Sequence, residues 1–179
     1  MNLARKCKLI GLVVGLILSG CTSAQDLPTP DKIGEKERMR VITGKQAAGV
    51  VNRMHGQSVA TEANVIVEYG KGENKDLLYI SRYADPKEAQ KAFDLMIEKM
   101  AAAKKSSFSH LMPLGKYGNK VYITLGMGAM HLKKLKSMRN QAYVAVHYIY
   151  SSGPFLLWLQ TLQSFGDTLP PPLLGLYPL

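Results

Sequence analysis

The chain has 179 residues, 46% of them hydrophobic, and 23 lysines and arginines against 13 acidic residues give a formal charge of +10. That length and apolar content suit one domain with its own core. With two cysteines in all, a disulfide-dense scaffold and a cysteine-based zinc site are both excluded.

Arg5, Lys6 and Lys8 lead into the apolar run Leu9 to Leu18, followed by Ser19, Gly20 and Cys21. A short cationic stretch, then an apolar stretch well below the roughly 20 residues of a spanning helix, then small residues, is the order of a secretory signal. The end Leu18-Ser19-Gly20-Cys21 resembles the lipobox of bacterial lipoproteins. The resemblance implies diacylglycerol on Cys21 and cleavage just before it, so that residues 1–20 are a signal peptide. Cys7 leaves with that segment and the sulfur of Cys21 carries lipid, so the domain has no disulfide. Losing the three cations takes the charge from +10 to +7. A cationic domain held at a membrane is drawn to anionic headgroups or to acidic envelope components, and export argues against nucleic acid. Thr22 follows the cysteine where an Asp would signal inner-membrane retention. By the same resemblance, this favours the periplasmic side of the outer membrane in a Gram-negative cell.

Residues 21–40 are the lipidated cysteine and a tether: Pro28, Pro30 and Gly34 interrupt regular structure and the charges from Asp31 to Arg38 favour solvation. A globular domain is expected over 41–163. It opens with a helix from Thr43 to Met54, capped by Thr43 with Gln46 three places on, and with Ala47, Val50, Val51 and Met54 on one face. Asn64 to Tyr69 and Leu77 to Tyr83 read as a hairpin with one buried face. The next helix carries the strongest local signal. Asp85 caps it, Pro86 sits in the first turn, Glu88 completes a capping box, and Ala89, Ala92, Phe93, Met96, Ile97 and Met100 form one stripe. Those methionines read as packing. Lys120 to Leu125, Ala142 to Tyr150 and Phe155 to Thr161 are dense in β-branched and aromatic residues and read as strands, with Ser151 to Pro154 turning between the last two. The sum is an α+β fold, a mainly antiparallel sheet of about five strands with two helices on one face. Residues 164–179, rich in proline and leucine, exclude a helix or central strand. They are either an extended arm laid on the domain or on a partner, or disordered.

The pieces GKQAAGVVNRMHG, ANVIVEYG, LYISRYADPKEAQKAF and KVYITLGMGAMH resemble a family of bacterial extracytoplasmic α+β domains of uncharacterised activity, often lipoproteins, over about residues 42 to 162. Leu132 to Ala142 looks like an insertion in that pattern. The resemblance implies a fold and no catalytic residues.

The sequence has no metalloprotease, nucleophile-elbow or P-loop motif, and Ser151-Ser152 beside His147 reads as a turn next to a strand histidine. Catalytic residues and cofactors are therefore expected to be none, and the chain is read as a non-enzyme. Two surfaces stand out. Met127, Met130 and His131, with His110 upstream, are thioether and imidazole donors of the kind that bind copper(I), although methionine also fills core gaps. Lys133, Lys134, Lys136 and Arg139 form a basic segment suited to anionic lipid or an acidic partner, or a solvated loop. The function expected is a lipid-anchored, non-enzymatic envelope module that binds a partner or anionic ligand, with a periplasmic metal-binding accessory as the rival.

Overall fold

The computed structural model describes residues 27–55, 58–72, 74–103, 108–127 and 144–179. Its elements in chain order are β1 (Lys32–Ile33), β2 (Lys36–Thr43), α1 (Gly44–His55), β3 (Ala63–Tyr69), β4 (Asp76–Arg82), α2 (Pro86–Ala102) and β5 (Phe108–Pro113). A 3-10 segment (Gly115–Lys120), β6 (Val121–Met127), β7 (Val144–Ser152), β8 (Phe155–Thr161) and α3 (Pro171–Leu176) complete it. The fold is α+β. The strands form one antiparallel sheet in the order β1-β2-β3-β4-β8-β7-β6-β5, curled into a half-barrel.

Eight strands replace the five expected, and the three additions lie toward the two edges. β1 and the first five residues of β2 fall in the segment read as a tether, and β2 ends at Thr43, the residue read as a helix cap. Most of β2 is exposed, so its sequence KERMRVIT shows no in-and-out alternation, yet its backbone pairs with β3 from Arg38 to Thr43. At the other edge β5 bends, with its register shifting between Ser109 and Met112 and His110 held at φ 57°. A bulge with a proline at the strand end discourages further pairing on that edge.

Register assigns the side chains of the sheet to two faces. Val65, Val67 and Tyr69 of β3 share a face with Leu78 and Ile80 of β4, Leu157 and Leu159 of β8, and Tyr148 and Tyr150 of β7. The opposite face presents Ile66, Leu77, Tyr79, Ile149, Leu156 and Trp158, which α1 and α2 cover. Both faces of β3 and β4 are buried, so the hairpin expected to have one wet face has none. α2 begins as its sequence dictates: the Asp85 carboxylate accepts from the Glu88 backbone N–H at 2.8 Å, Pro86 needs no donor in the first turn, and Ala89, Phe93 and Met96 are buried.

The face away from α1 and α2 is closed by both ends of the described chain. Leu27 and Ile33 from the start, with Leu169, Leu173 and Tyr177 from the end, join the core cluster of that face. Ordered, packed chain thus stands over 27–40 where a tether was expected, and residues 164–179 lie against the domain as an arm there would, with the short helix α3 in place of an extended backbone. Four hydrogen bonds fasten the two ends. The Tyr177 hydroxyl donates to the Pro28 carbonyl at 2.7 Å, and the Tyr69 hydroxyl to the Pro30 carbonyl at 2.9 Å. The Ser152 hydroxyl donates to the Pro178 carbonyl at 2.6 Å, while the Arg38 guanidinium donates to the Thr29 carbonyl at 3.0 Å. α3 is a helix despite its prolines because Pro171 and Pro172 occupy the first turn, whose N–H groups have no intrahelical acceptor. A polyproline reading of 170–172 misses this, since the same residues that stop a helix interior start a helix well.

One buried ion pair stitches the β1–β2 edge to the core. Lys36 Nζ lies 2.7 Å from Asp76 Oδ1, and the carboxylate is fully buried. The same oxygen accepts from the Leu162 backbone N–H at 3.2 Å, joining β2, β4 and the end of β8 at one atom.

Candidate functional site

The sheet face under α1 and α2 is incompletely filled. Toward their C-terminal ends the two helices leave a groove of about 220 Å³, lined by Met54 and His55 of α1, Met96, Lys99 and Met100 of α2, Ala103, Phe108 and Trp158. A smaller recess of about 20 Å³ continues it under Val51, Tyr79, Ser81 and Leu156. The walls are thioether, aliphatic and aromatic carbon. The polar lining of the groove is the His55 imidazole and the Lys99 ammonium, and no carboxylate is among its described walls.

The floor is an aromatic assembly organised by Trp158. Its ring centroid lies 5.5 Å from Phe108, 5.7 Å from His147 and 6.3 Å from Tyr79. Phe108 meets His147 edge-on at 5.1 Å. The Trp158 indole Nε1–H donates to His147 Nδ1 at 2.8 Å. An acceptor at Nδ1 fixes the neutral imidazole with its proton on Nε2, and that atom is buried with no hydrogen-bond partner. Burial alone pushes the His147 pKa down to about 4. The ring is thus a neutral, apolar-facing support that orients Trp158. Gly126 makes the assembly possible, since a Cβ there would meet Phe108 Cδ1 at 2.6 Å and His147 Nε2 at 2.9 Å.

At the mouth, burial and then the nearby charge of Lys99 lower the His55 pKa. His55 is therefore neutral near pH 7, and Lys99 supplies the positive charge of the groove. An apolar cavity of about 150 Å³ suffices for benzene, whereas sites that enclose drug-sized ligands start near 300 Å³. This groove accommodates one ring or a short acyl chain, with an anionic group left at the rim.

The residues singled out by sequence fall elsewhere. Met127 ends β6, and His110 occupies the bent, exposed part of β5. Cys21, Met130, His131, Lys133, Lys134, Lys136 and Arg139 lie outside the described residues. Among the described residues no group of three or more His, Cys, Asp and Glu converges as a metal site, and no helix is long and apolar enough to cross a membrane. His147 and Ser152 lie on opposite faces of β7. The Ser152 hydroxyl is bonded to the Pro178 carbonyl and that of Ser151 to Gln90 Oε1 at 2.6 Å, so neither meets the imidazole as a nucleophile would.

Sequence reasoning missed the groove because it read Met96 and Met100 purely as core. Both do pack there, Met96 buried in the α2 core and Met100 partly buried against it, and both also form walls of the groove. The available signals were Met54 at the end of α1 and the lone tryptophan on the strand read over Phe155 to Thr161. No protein-family model, curated protein or solved structure matches the chain.

Proposed function

We propose that the chain is a lipid-anchored, non-enzymatic envelope protein whose domain binds a small apolar molecule bearing an acidic group in the groove between α1 and α2. The lipobox resemblance at Leu18 to Cys21 supports the anchor and an address at a membrane facing the periplasm, and Thr22 after it weakly favours the outer membrane if the cell is Gram-negative. The observation that carries the binding role is the groove itself: about 220 Å³ of mostly apolar wall over Trp158, with Lys99 at its mouth. The apolar part is recognised by dispersion and desolvation, and the acid by a partly exposed ammonium. Such an ion pair is worth at most about 1 kcal/mol, a factor of roughly five in affinity.

Trp158 is the chain's only tryptophan, so its emission reports on the groove without a label. Titration with decanoate and with benzoate is expected to give a saturable spectral change, weakened about fivefold by Lys99→Gln. Decylamine is expected to bind more weakly than decanoate. An emission spectrum unmoved by both acids up to millimolar concentration overturns the binding role.

The rival metal reading has one observation of its own, since Met54, Met96, Met100 and His55 place three thioethers and an imidazole around one groove. Copper(I) suits those donors. The Lys99 ammonium works against it, because a like charge beside a cation is repulsive in the same geometry that attracts an anion. Stoichiometric quenching of Trp158 by copper(I), lost in Met100→Leu, would reverse that preference.

A further inference from the structure

Residues 22–26 are all that separates Cys21 from Leu27. Six Cα-to-Cα steps reach about 21 Å at full extension, so the Leu27 Cα lies within that distance of the Cys21 Cα. Leu27 is already part of the core, and the residues after it are held by the Tyr177, Tyr69 and Arg38 side chains. An anchor at Cys21 therefore does not let the domain roam. It brings one particular end of the domain to the lipid.

That end is built by α3 and the residues after it. Tyr177 is buried and hydrogen-bonded to Pro28, and its neighbours Leu176 and Leu179 are 40% and 39% exposed. Two large aliphatic side chains thus flank the residue that touches the start of the fold, on the end nearest Cys21 along the chain. They are well explained by a surface that the anchor holds close.

Resting on the lipidation proposed for Cys21, we infer that this end docks on the phospholipid bilayer that holds the acyl chains, with Leu176 and Leu179 entering the boundary between headgroups and acyl chains. The short reach makes the encounter intramolecular, so a contact too weak to recruit the protein alone suffices to orient it. The groove over Trp158 is on the other face of the sheet from α3.

The test uses the full-length lipidated protein in phosphatidylethanolamine–phosphatidylglycerol vesicles containing a nitroxide-bearing lipid as quencher. A fluorophore is attached through Gly175→Cys, at an exposed position where a side chain meets nothing within 4 Å, or as a control through Lys91→Cys on the outer side of α2. Mass measurement of the Cys21 peptide accompanies each sample. Several-fold stronger quenching at 175 than at 91, abolished by Leu176→Ser with Leu179→Ser, is the expected result. A diacylated Cys21 with equal quenching at the two positions, or none at either, overturns the docking and leaves the anchor standing. Absence of lipid on Cys21 overturns the anchor and the docking together. Self-quenching between labels at 175 that grows with protein per vesicle assigns the leucines to a second copy of the chain and overturns the bilayer as their partner.

Discussion

Replacing His147 with asparagine removes a titrating ring from the floor of the groove while keeping an acceptor where Nδ1 receives the Trp158 N–H. The folded imidazole has a pKa of about 4 against 6.5 for an ordinary histidine. Between those values the unfolded chain binds a proton that the folded protein refuses, so stability falls as pH falls. The contribution of His147 is fully present above pH 6.5, declines by about 1.4 kcal/mol per pH unit, and levels off below pH 4. Its integral is about 3 kcal/mol, a large share of the roughly 5–15 kcal/mol that holds a domain folded. Urea unfolding followed by Trp158 emission, at several pH values from 7.5 to 4, measures it. Subtracting the variant's stability from that of the parent removes the contributions of carboxylates and of His55, whose lowered pKa acts with the same sign. At pH 7.5 the parent is expected to be more stable by about 1–3 kcal/mol, from the better-packed ring. By pH 4 the difference shrinks by about 3 kcal/mol and the variant equals or passes the parent. A difference that stays constant with pH refutes the claim that burial keeps His147 neutral.

Three further outcomes follow from the packing. Lys36→Met leaves the Asp76 carboxylate buried without its cation and should destabilise by about 3–5 kcal/mol, whereas Lys36→Met with Asp76→Leu should recover most of the loss; paired urea melts decide. Gly126→Ala forces a Cβ toward Phe108 and His147, and should cost about 1–3 kcal/mol and shift the Trp158 emission in the folded state. Leu173→Ala, at a fully buried position of α3, should cost about 2–5 kcal/mol in chemical denaturation; a value near zero would mean that α3 is not part of the core.

The elements legible in the sequence are those whose local and global requirements agree. α2 carries its cap, its proline and its apolar stripe within one window, and β3, β4, β6, β7 and β8 are dense in strand-forming residues. What was illegible depends on neighbours far away in the chain. β2 is a strand because β3 offers it a ladder, and its outward side chains are free to be charged. Tyr69, Tyr148 and Tyr177 read as generic aromatic residues, while their hydroxyls bind the backbone at Pro30, Phe165 and Pro28. The groove was hidden for a related reason. Whether a methionine fills a core or borders a space is decided by how far apart two helices sit, and no periodicity encodes that distance.

The bond from Tyr177 to Pro28 spans 149 positions of sequence, which gives the fold a direction in time. A chain that emerges N-terminus first carries Leu27 and Ile33 in a core cluster that stays incomplete until Leu169, Leu173 and Tyr177 follow. Contacts of such separation form late, because loop closure precedes any gain from them. The domain therefore reaches its final packing only when nearly the whole chain has emerged.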